Sequence, residues 1–194
     1  MCVIIIKRKG VEMPSEAELR AAHRCNPDGC GFVSSNGLYW RGLDFGEFLQ
    51  RLAGVGHDDA CVIHFRLATH GSVKESNCHP FRSGDVYFAH NGILPVRPSG
   101  DMTDSETAFT RIIMPRVREF GFWSREAMTV AKEVAGGSRF AFMYEGDIVT
   151  TGDYIEDERG VLWSNMRHLS CPGWWGLYHS AGGLRRYELA SVSG

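Results

Sequence analysis

The sequence predicts an α+β fold in which antiparallel sheets are layered with helices, and three observations lead there. Segments that read as strands are grouped, and so are segments that read as helices, whereas a doubly wound parallel sheet would alternate them one by one. Several strands are unbroken apolar runs, which suits sheets covered on both faces; two stacked sheets with helices outside satisfy this. Finally, 194 residues with 43% hydrophobic and 11% aromatic positions are enough for one domain with its own core, without metal or disulfide staples.

Each element follows from local chemistry. Cys2–Ile6 is apolar and β-branched throughout, a strand buried on both faces. Ser15 with Glu18 forms a capping box that opens a helix running to Arg24. Asn26-Pro27-Asp28-Gly29 is a turn, and Cys30–Ser34 and Leu38–Arg41 flank Asn36-Gly37, a strong hairpin signal. Apolar residues at 45, 48, 49 and 52 give a helical period after Asp44. Two apolar strands follow, Ala60–Leu67 and Val86–His90, joined by a loop rich in Gly, Ser, Asn and Pro. Residues 105–120 and 124–135 read as helices, with Pro115 ending or kinking the first. Phe140–Tyr144 and Asp147–Thr151 form a hairpin around Glu145-Gly146, and Val161–Ser164 reads as an edge strand. Pro172–Gly183, with Trp174, Trp175 and Tyr178, is the least regular stretch.

Composition excludes several classes. Lys and Arg total 21 against 23 Asp and Glu, and the longest basic run is Lys7-Arg8-Lys9, so no nucleic-acid footprint is present. Cys2–Ile6 is too short to span a bilayer and precedes its basic residues, the reverse of a secretory signal. A cytoplasmic chain with no membrane or nucleic-acid partner is expected. The cysteines at 2, 25, 30, 61, 78 and 171 include no C-x-x-C pair, and no disulfide framework is expected. Cys25 and Cys30 beside His23 lack the second half of a zinc site, and no P-loop or dinucleotide fingerprint occurs, so neither metal nor cofactor is expected.

Four places could carry chemistry. A cysteine directly after the initiator methionine would become the N-terminus once that methionine is trimmed. Its α-amine then titrates near pH 8, a base built into the same residue as the thiol nucleophile. Arg66, at the end of an apolar strand, needs an anion, either an internal carboxylate or that of a ligand, with Thr69 and His70 beside it as donors. Asn91-Gly92 could be a hairpin turn, but the following Ile93-Leu94-Pro95-Val96 does not alternate like a returning strand. The Asn amide and the Gly N–H together would make a two-donor oxyanion hole. Asp104 and Ser105 open a helix, as an N-cap or as a carboxylate held to meet an ammonium group. In an antiparallel sheet the start of one strand lies beside the ends of its neighbours, so Cys2, Arg66 and Asn91 are expected to face one another at one sheet edge. Nucleophile, oxyanion donors, arginine and aspartate make a receptor for an amino acid with a side-chain amide, glutamine or asparagine.

These residues together resemble the class II glutamine amidotransferases, a branch of the N-terminal nucleophile hydrolases. The family's order and approximate spacing are met by Met1-Cys2, the run from His64 to Gly71 and the run from Asn77 to Phe81. They are met again by His90-Asn91-Gly92 and the helix start Asp104-Ser105-Glu106. Asn26–Gly31 resembles an early Asp-Gly segment of that family. The chain further resembles small stand-alone members of this family encoded in bacteriophage and bacterial genomes. The resemblance is good from Cys2 to Thr107, thinner to Arg167 and absent beyond.

The resemblance implies a four-layer αββα sandwich and a single domain over 1–194, with 168–194 as a C-terminal extension. It makes Cys2 the nucleophile, its α-amine the proton shuttle, and Asn91 with Gly92 the oxyanion hole. Arg66, Thr69 and His70 would bind the glutamine α-carboxylate and Asp104 the α-ammonium. The implied reaction releases glutamate and ammonia through a Cys2 thioester, the ammonia passing to a synthetase on a separate chain. Alternatives are an amidohydrolase of the same type acting on another amide, and a non-catalytic binding module that retains Met1. Two positions depart from the family: Val3 where many members have glycine, and Leu67 where some have tryptophan.

Overall fold

The computed structural model describes residues 2–68, 71–170 and 185–187. The chain opens with β1 (Val3–Lys7), α1 (Glu16–Cys25), the hairpin β2 (Cys30–Ser34) and β3 (Tyr39–Gly42), then α2 (Phe45–Leu52) and β4 (Cys61–Phe65). Next come β5 (Phe81–Ser83), β6 (Val86–Asn91), α3 (Asp104–Thr107), α4 (Met114–Phe120) and α5 (Arg125–Ala135). The hairpin β7 (Arg139–Tyr144) and β8 (Asp147–Thr151) is followed by β9 (Tyr154–Glu156), β10 (Leu162–Trp163) and β11 (Arg185–Tyr187). Among the described residues one sheet runs β11-β9-β10-β1-β4-β2-β3 and the other β5-β6-β7-β8. Their pairings are antiparallel throughout.

Period-2 alternation sorts the side chains into three apolar layers. Val3, Ile5, Ile63, Phe65 and Trp163 point outward from the first sheet onto Leu19 of α1 and Phe48 of α2. Ile4, Ile6, Val33 and Val62 meet Ala89, Ala141 and Met143 between the sheets. Phe88, Phe140 and Phe142 of the second sheet pack on Phe109 and Ala131 of the helices beyond it. Helices, sheet, sheet and helices therefore stack as the four expected layers. Each fully buried Phe or Ile contributes about 2–3 kcal/mol, so the unbroken apolar strands are what make two covered sheets favourable.

The local expectations are met with some displacements. Ser15 and Glu18 form the capping box at the start of α1. Pro115 lies in the first turn of α4 and cannot donate to the carbonyl four residues back. The helix before it widens into a π-helical segment over Ala108–Ile113, so the helical stretch expected over 105–120, ended or kinked at Pro115, is in three parts. The strand expected at the edge over Val161–Ser164 is instead interior, with β10 between β9 and β1. Among the described residues Cys2, Cys30, Cys61 and Cys78 are free. Cys25, however, is disulfide-bonded, which the expectation of no disulfide framework did not include. The helices of the described residues include none long and apolar enough to cross a membrane.

One ion cluster fastens α1 to the loop before β10. Arg159 reaches Glu18 at 2.6 and 2.9 Å and Asp157 at 2.7 Å, and Trp163 Nε1 donates to Asp157 at 3.2 Å. Burial works to raise both carboxyls, but hydrogen bonds, those from Arg159 foremost, outweigh it and hold both below their ordinary range. Arg159→Met strands two carboxylates whose side chains are only 9% and 7% exposed. Because the guanidinium is itself partly solvated, the expected loss is about 2 kcal/mol, less than for a fully buried pair. Both folded pKa values lie below the unfolded ones, so this stabilisation is present above roughly pH 5 and lost as pH falls through the folded values. Urea midpoints of the variant and parent should differ at neutral pH and converge below roughly pH 3. Coincident midpoints at neutral pH would refute the assignment.

Candidate functional site

Strand parity assembles the site. Ile4 and Ile6 face the space between the sheets, so Cys2 continues the inward set at the start of β1. Val62 belongs to the same set on β4, which Arg66 continues past the strand end. Val3 pairs with Phe65, and the next register position opposes Cys2 to Arg66. The Cys2 Sγ accepts from the Leu67 N–H at 3.4 Å and lies 3.6 Å from the Leu67 carbonyl oxygen, to which the thiol donates. Burial pushes the Cys2 thiol up; the Leu67 hydrogen bond and the Arg66 charge oppose this without cancelling it. The thiol is therefore protonated at neutral pH.

Arg66 is 4% exposed and donates through Nη1 to the Ser72 carbonyl at 3.2 Å. The predicted turn at 26–29 clamps the stretch around it. Arg66 N–H donates to the Gly29 carbonyl at 2.8 Å, Asp28 N–H to the Arg66 carbonyl at 2.9 Å, and Ala68 N–H to Asp28 Oδ2 at 2.8 Å. Thr69 and His70, the expected additional donors, lie outside the described residues.

Asn91 ends β6 on the inner face of the other sheet, with Ala89. This corrects the expectation of a single edge: Cys2 and Arg66 belong to one sheet and Asn91 to the second, and Asn91 reaches the first sheet through Ser164. Period-2 alternation is the same for a neighbouring strand and a facing one, which is why the sequence did not separate the two cases. Asn91 is 2% exposed; its Nδ2 donates to Ser164 Oγ at 2.8 Å and its Oδ1 has no hydrogen-bond partner among the described residues. Gly92 has φ +151°, and a Cβ there would stand 2.6 Å from Ser138 Cβ and closer still to its Oγ. The turn thus departs from a simple hairpin, because the chain leaves β6 for α3 rather than folding straight back.

Asp104 is the first residue of α3, while Thr103 is the N-cap and accepts from the Glu106 N–H at 3.1 Å. Asp104 Oδ2 accepts from the Leu94 N–H at 3.3 Å, and Oδ1 from the Ser105 N–H at 2.8 Å and hydroxyl at 3.2 Å. A cavity of about 440 Å³ is lined by Asp104, Thr103, Leu94, Gly71, Ser72 and Asn77 among others. Its lining includes Asp104 but not Cys2, Arg66 or Asn91. A hollow of about 510 Å³ on α4 and α5, beside Phe120 and Val130, involves none of the predicted residues.

Residues outside the sequence expectation complete the surroundings. Ser164 and Asn165 follow β10 and bond to Asn91 Nδ2 and the Cys2 carbonyl oxygen, each at 2.8 Å. The end of the strand expected over 161–164 is the available signal, since Cys2, Arg66 and Asn91 also lie at strand termini. Beneath them lie His64, His79 and His90. His64 Nε2 donates to the His90 carbonyl at 3.0 Å, and the His64 and His79 rings are 4.3 Å apart. Burial pushes His64 down to about 3 and His79 well below its usual value; it brings His90 to about 4 despite the pull of Asp104. All three are neutral at pH 7. His90 Nδ1 lies 2.8 Å from Ser105 Oγ, and because that hydroxyl donates to a carboxylate, the imidazole is the donor. Among the described residues, groups of three or more His, Cys, Asp or Glu placed to hold a metal ion are absent.

Residues 47–142 match the family model described as glutamine amidotransferases class-II. Glutamine–fructose-6-phosphate aminotransferase (isomerizing) of Rhizobium meliloti is 31% identical over 97 residues, 44% of this chain and 16% of that protein. The enzyme of the same name from Vibrio vulnificus is 52% identical over 33 residues, 17% of this chain and 5% of that protein. Among solved structures, glutamine phosphoribosylpyrophosphate amidotransferase of B. subtilis, complexed with ADP and GMP, superposes with a TM-score of 0.58 at 17% identity. The match covers 88% of this chain and 43% of that one, and it shows the shared fold. The chain spans less than half the length of each of these proteins.

The contact at Gly92 gives a direct test. Gly92→Ala combines a strained backbone with overpacking against Ser138 and is expected to cost about 3 kcal/mol in chemical denaturation. Adding Ser138→Gly should recover the steric part only. A Gly92→Ala protein as stable as the parent would contradict the geometry.

Proposed function

We propose that this chain, whose residues 47–142 match the class II glutamine amidotransferase model, hydrolyses the side-chain amide of glutamine, with Cys2 as nucleophile after removal of Met1. The observation that carries the reading is the Cys2 thiol bonded to the backbone of Leu67, one residue from the buried Arg66. Nucleophile and carboxylate receptor are thereby adjacent. Burial keeps the thiol protonated, so attack needs a base, and the freed α-amine of the same residue is suited to take the proton.

The thiolate sulfur bonds to the amide carbon, and the carbonyl π pair moves onto oxygen. Asn91 Nδ2 and the Gly92 N–H donate to that oxyanion, each worth about 3 kcal/mol of barrier. The α-ammonium returns its proton to the departing nitrogen, ammonia leaves, and a γ-glutamyl thioester remains. Water then adds to the thioester, the same amine takes its proton, and glutamate is released as the thiol reforms. Arg66, with Thr69 and His70, holds the substrate α-carboxylate, and Asp104 the α-ammonium; a partly buried carboxylate fixed by backbone donors at a cavity wall suits a cation. The reading needs neither metal nor cofactor, sets the reaction in the cytoplasm, and passes the ammonia to an acceptor enzyme on another chain.

The test is intact mass and peptide mapping after exposure to a glutamine-mimicking diazoketone. The expected result is a chain lacking Met1 with one adduct on Cys2, blocked by excess glutamine, and no adduct in Cys2→Ala. Arg66→Ala and Asp104→Asn should raise the KM for glutamine by about 100-fold, the loss of a charged contact. An adduct that glutamine fails to block would favour another amide. A retained Met1 with unmodified Cys2 would leave a binding module.

A further inference from the structure

The two residues after β10 touch both halves of the proposed machinery, and the family-like motifs include neither. Ser164 N–H donates to the Ile4 carbonyl at 2.9 Å and continues the β10–β1 ladder. Its side-chain oxygen accepts from two donors at 2.8 Å each: the Ile4 N–H, two residues from the nucleophile, and Asn91 Nδ2 in the other sheet. A hydroxyl oxygen accepts two hydrogen bonds and donates one, so its acceptor capacity is filled. Asn91 Nδ2 carries two hydrogens, and Ser164 engages one. Because this anchor is 2% exposed, it fixes the rotation of the amide about its last torsion. The second N–H is left to donate elsewhere.

Asn165 secures the nucleophile itself. Its Nδ2 donates to the Cys2 carbonyl oxygen at 2.8 Å, and its Oδ1 accepts from the Arg167 N–H at 3.2 Å. That second bond defines which way the Asn165 amide faces. Cys2 precedes the first paired residue of β1, so the ladder alone does not hold its carbonyl, and Asn165 supplies the constraint.

We propose that Ser164 and Asn165 are positioning residues for amide hydrolysis: Ser164 ties the Asn91 donor to the nucleophile's strand across the two sheets, and Asn165 fixes the Cys2 backbone. The inference rests on the proposed roles of Cys2 and Asn91. Its signature is a loss in the bond-forming step with substrate binding retained, because neither residue touches Arg66 or Asp104 among the described contacts. A displacement of the order of 1 Å in either group costs about 100-fold in rate.

The experiment compares alkylation of the full-length chain by the glutamine-mimicking diazoketone, resolved into a binding constant and a maximal rate. Unlabelled parent protein would mean that the reading of Cys2 has failed, and the inference falls with it. With labelled parent, Ser164→Ala is expected to lower the maximal rate by about 10- to 100-fold with little change in the binding constant, and Ser164→Thr to restore it. Asn165→Asp keeps the shape and the Arg167 contact but removes the donor, and should slow alkylation likewise. Adding Ser164→Ala to Asn91→Ala should cost little more than Asn91→Ala alone, since Ser164 acts through that amide. If Ser164→Ala fails to fold, Asn165→Asp decides the matter. A maximal rate equal to the parent's in folded Ser164→Ala or Asn165→Asp, or fully additive losses with Asn91→Ala, would overturn the inference while leaving the nucleophile's role intact.

Discussion

The site depends on the antiparallel register of β1, held between β10 and β4. Pairing Ile5 with Ile63 on one side and with Trp163 on the other fixes what lies beyond the strand end. Cys2 comes opposite Arg66, and Ser164 comes beside Ile4. A one-residue slip on either side would turn the inward set Cys2, Ile4, Ile6 outward and place Val3 and Ile5 between the sheets. The cost would be the whole inter-sheet layer, so apolar burial and chemical placement enforce the same register.

The other end of β1 carries a matching constraint. Lys7 is 1% exposed, pairs in register with Cys61, and donates through Nζ to the carbonyls of His57 and Asp59 at 2.6 Å each. An ammonium that far from water needs such partners, and the carbonyls come from the loop that leads into β4. The strand is therefore anchored by a buried cation at one end and carries the thiol at the other. Between them its three isoleucines are buried on both faces. Sliding β1 would displace the Cys2 end and break the Lys7 bonds together.

Most of the fold was legible because its determinants are local: the Ser15–Glu18 box, the Asn36-Gly37 hairpin and the apolar runs each specify their element within a few residues. What was lost needed tertiary information. The two-residue strand β10 is too short for its alternation to show that both of its sides are paired. The π-helical turn depends on how the chain accommodates Pro115. At the site, Cys2 and Arg66 were legible as strand termini. Asn91 was correctly assigned to a strand end but to the wrong sheet, since facing and neighbouring strands share one period. Ser164 and Asn165 carry no special spacing; their contacts with Asn91 and Cys2 arise from where β10 delivers them. Thr69 and His70 lie outside the described residues.

The two departures from the family pattern now have a physical reading. Val3 belongs to the outward set and is 1% exposed in the layer shared with α1 and α2. A β-branched residue there fills apolar volume on the far side of the sheet from the Cys2 thiol, which a glycine would leave empty. Leu67 meets the thiol through its backbone N–H and carbonyl oxygen. That contact is independent of the side chain, so replacing tryptophan by leucine leaves it intact and alters only what the side chain itself covers. Both positions therefore leave the main-chain contacts of Cys2 in place: Val3 fills the layer behind the sheet, and Leu67 meets the thiol through its backbone alone.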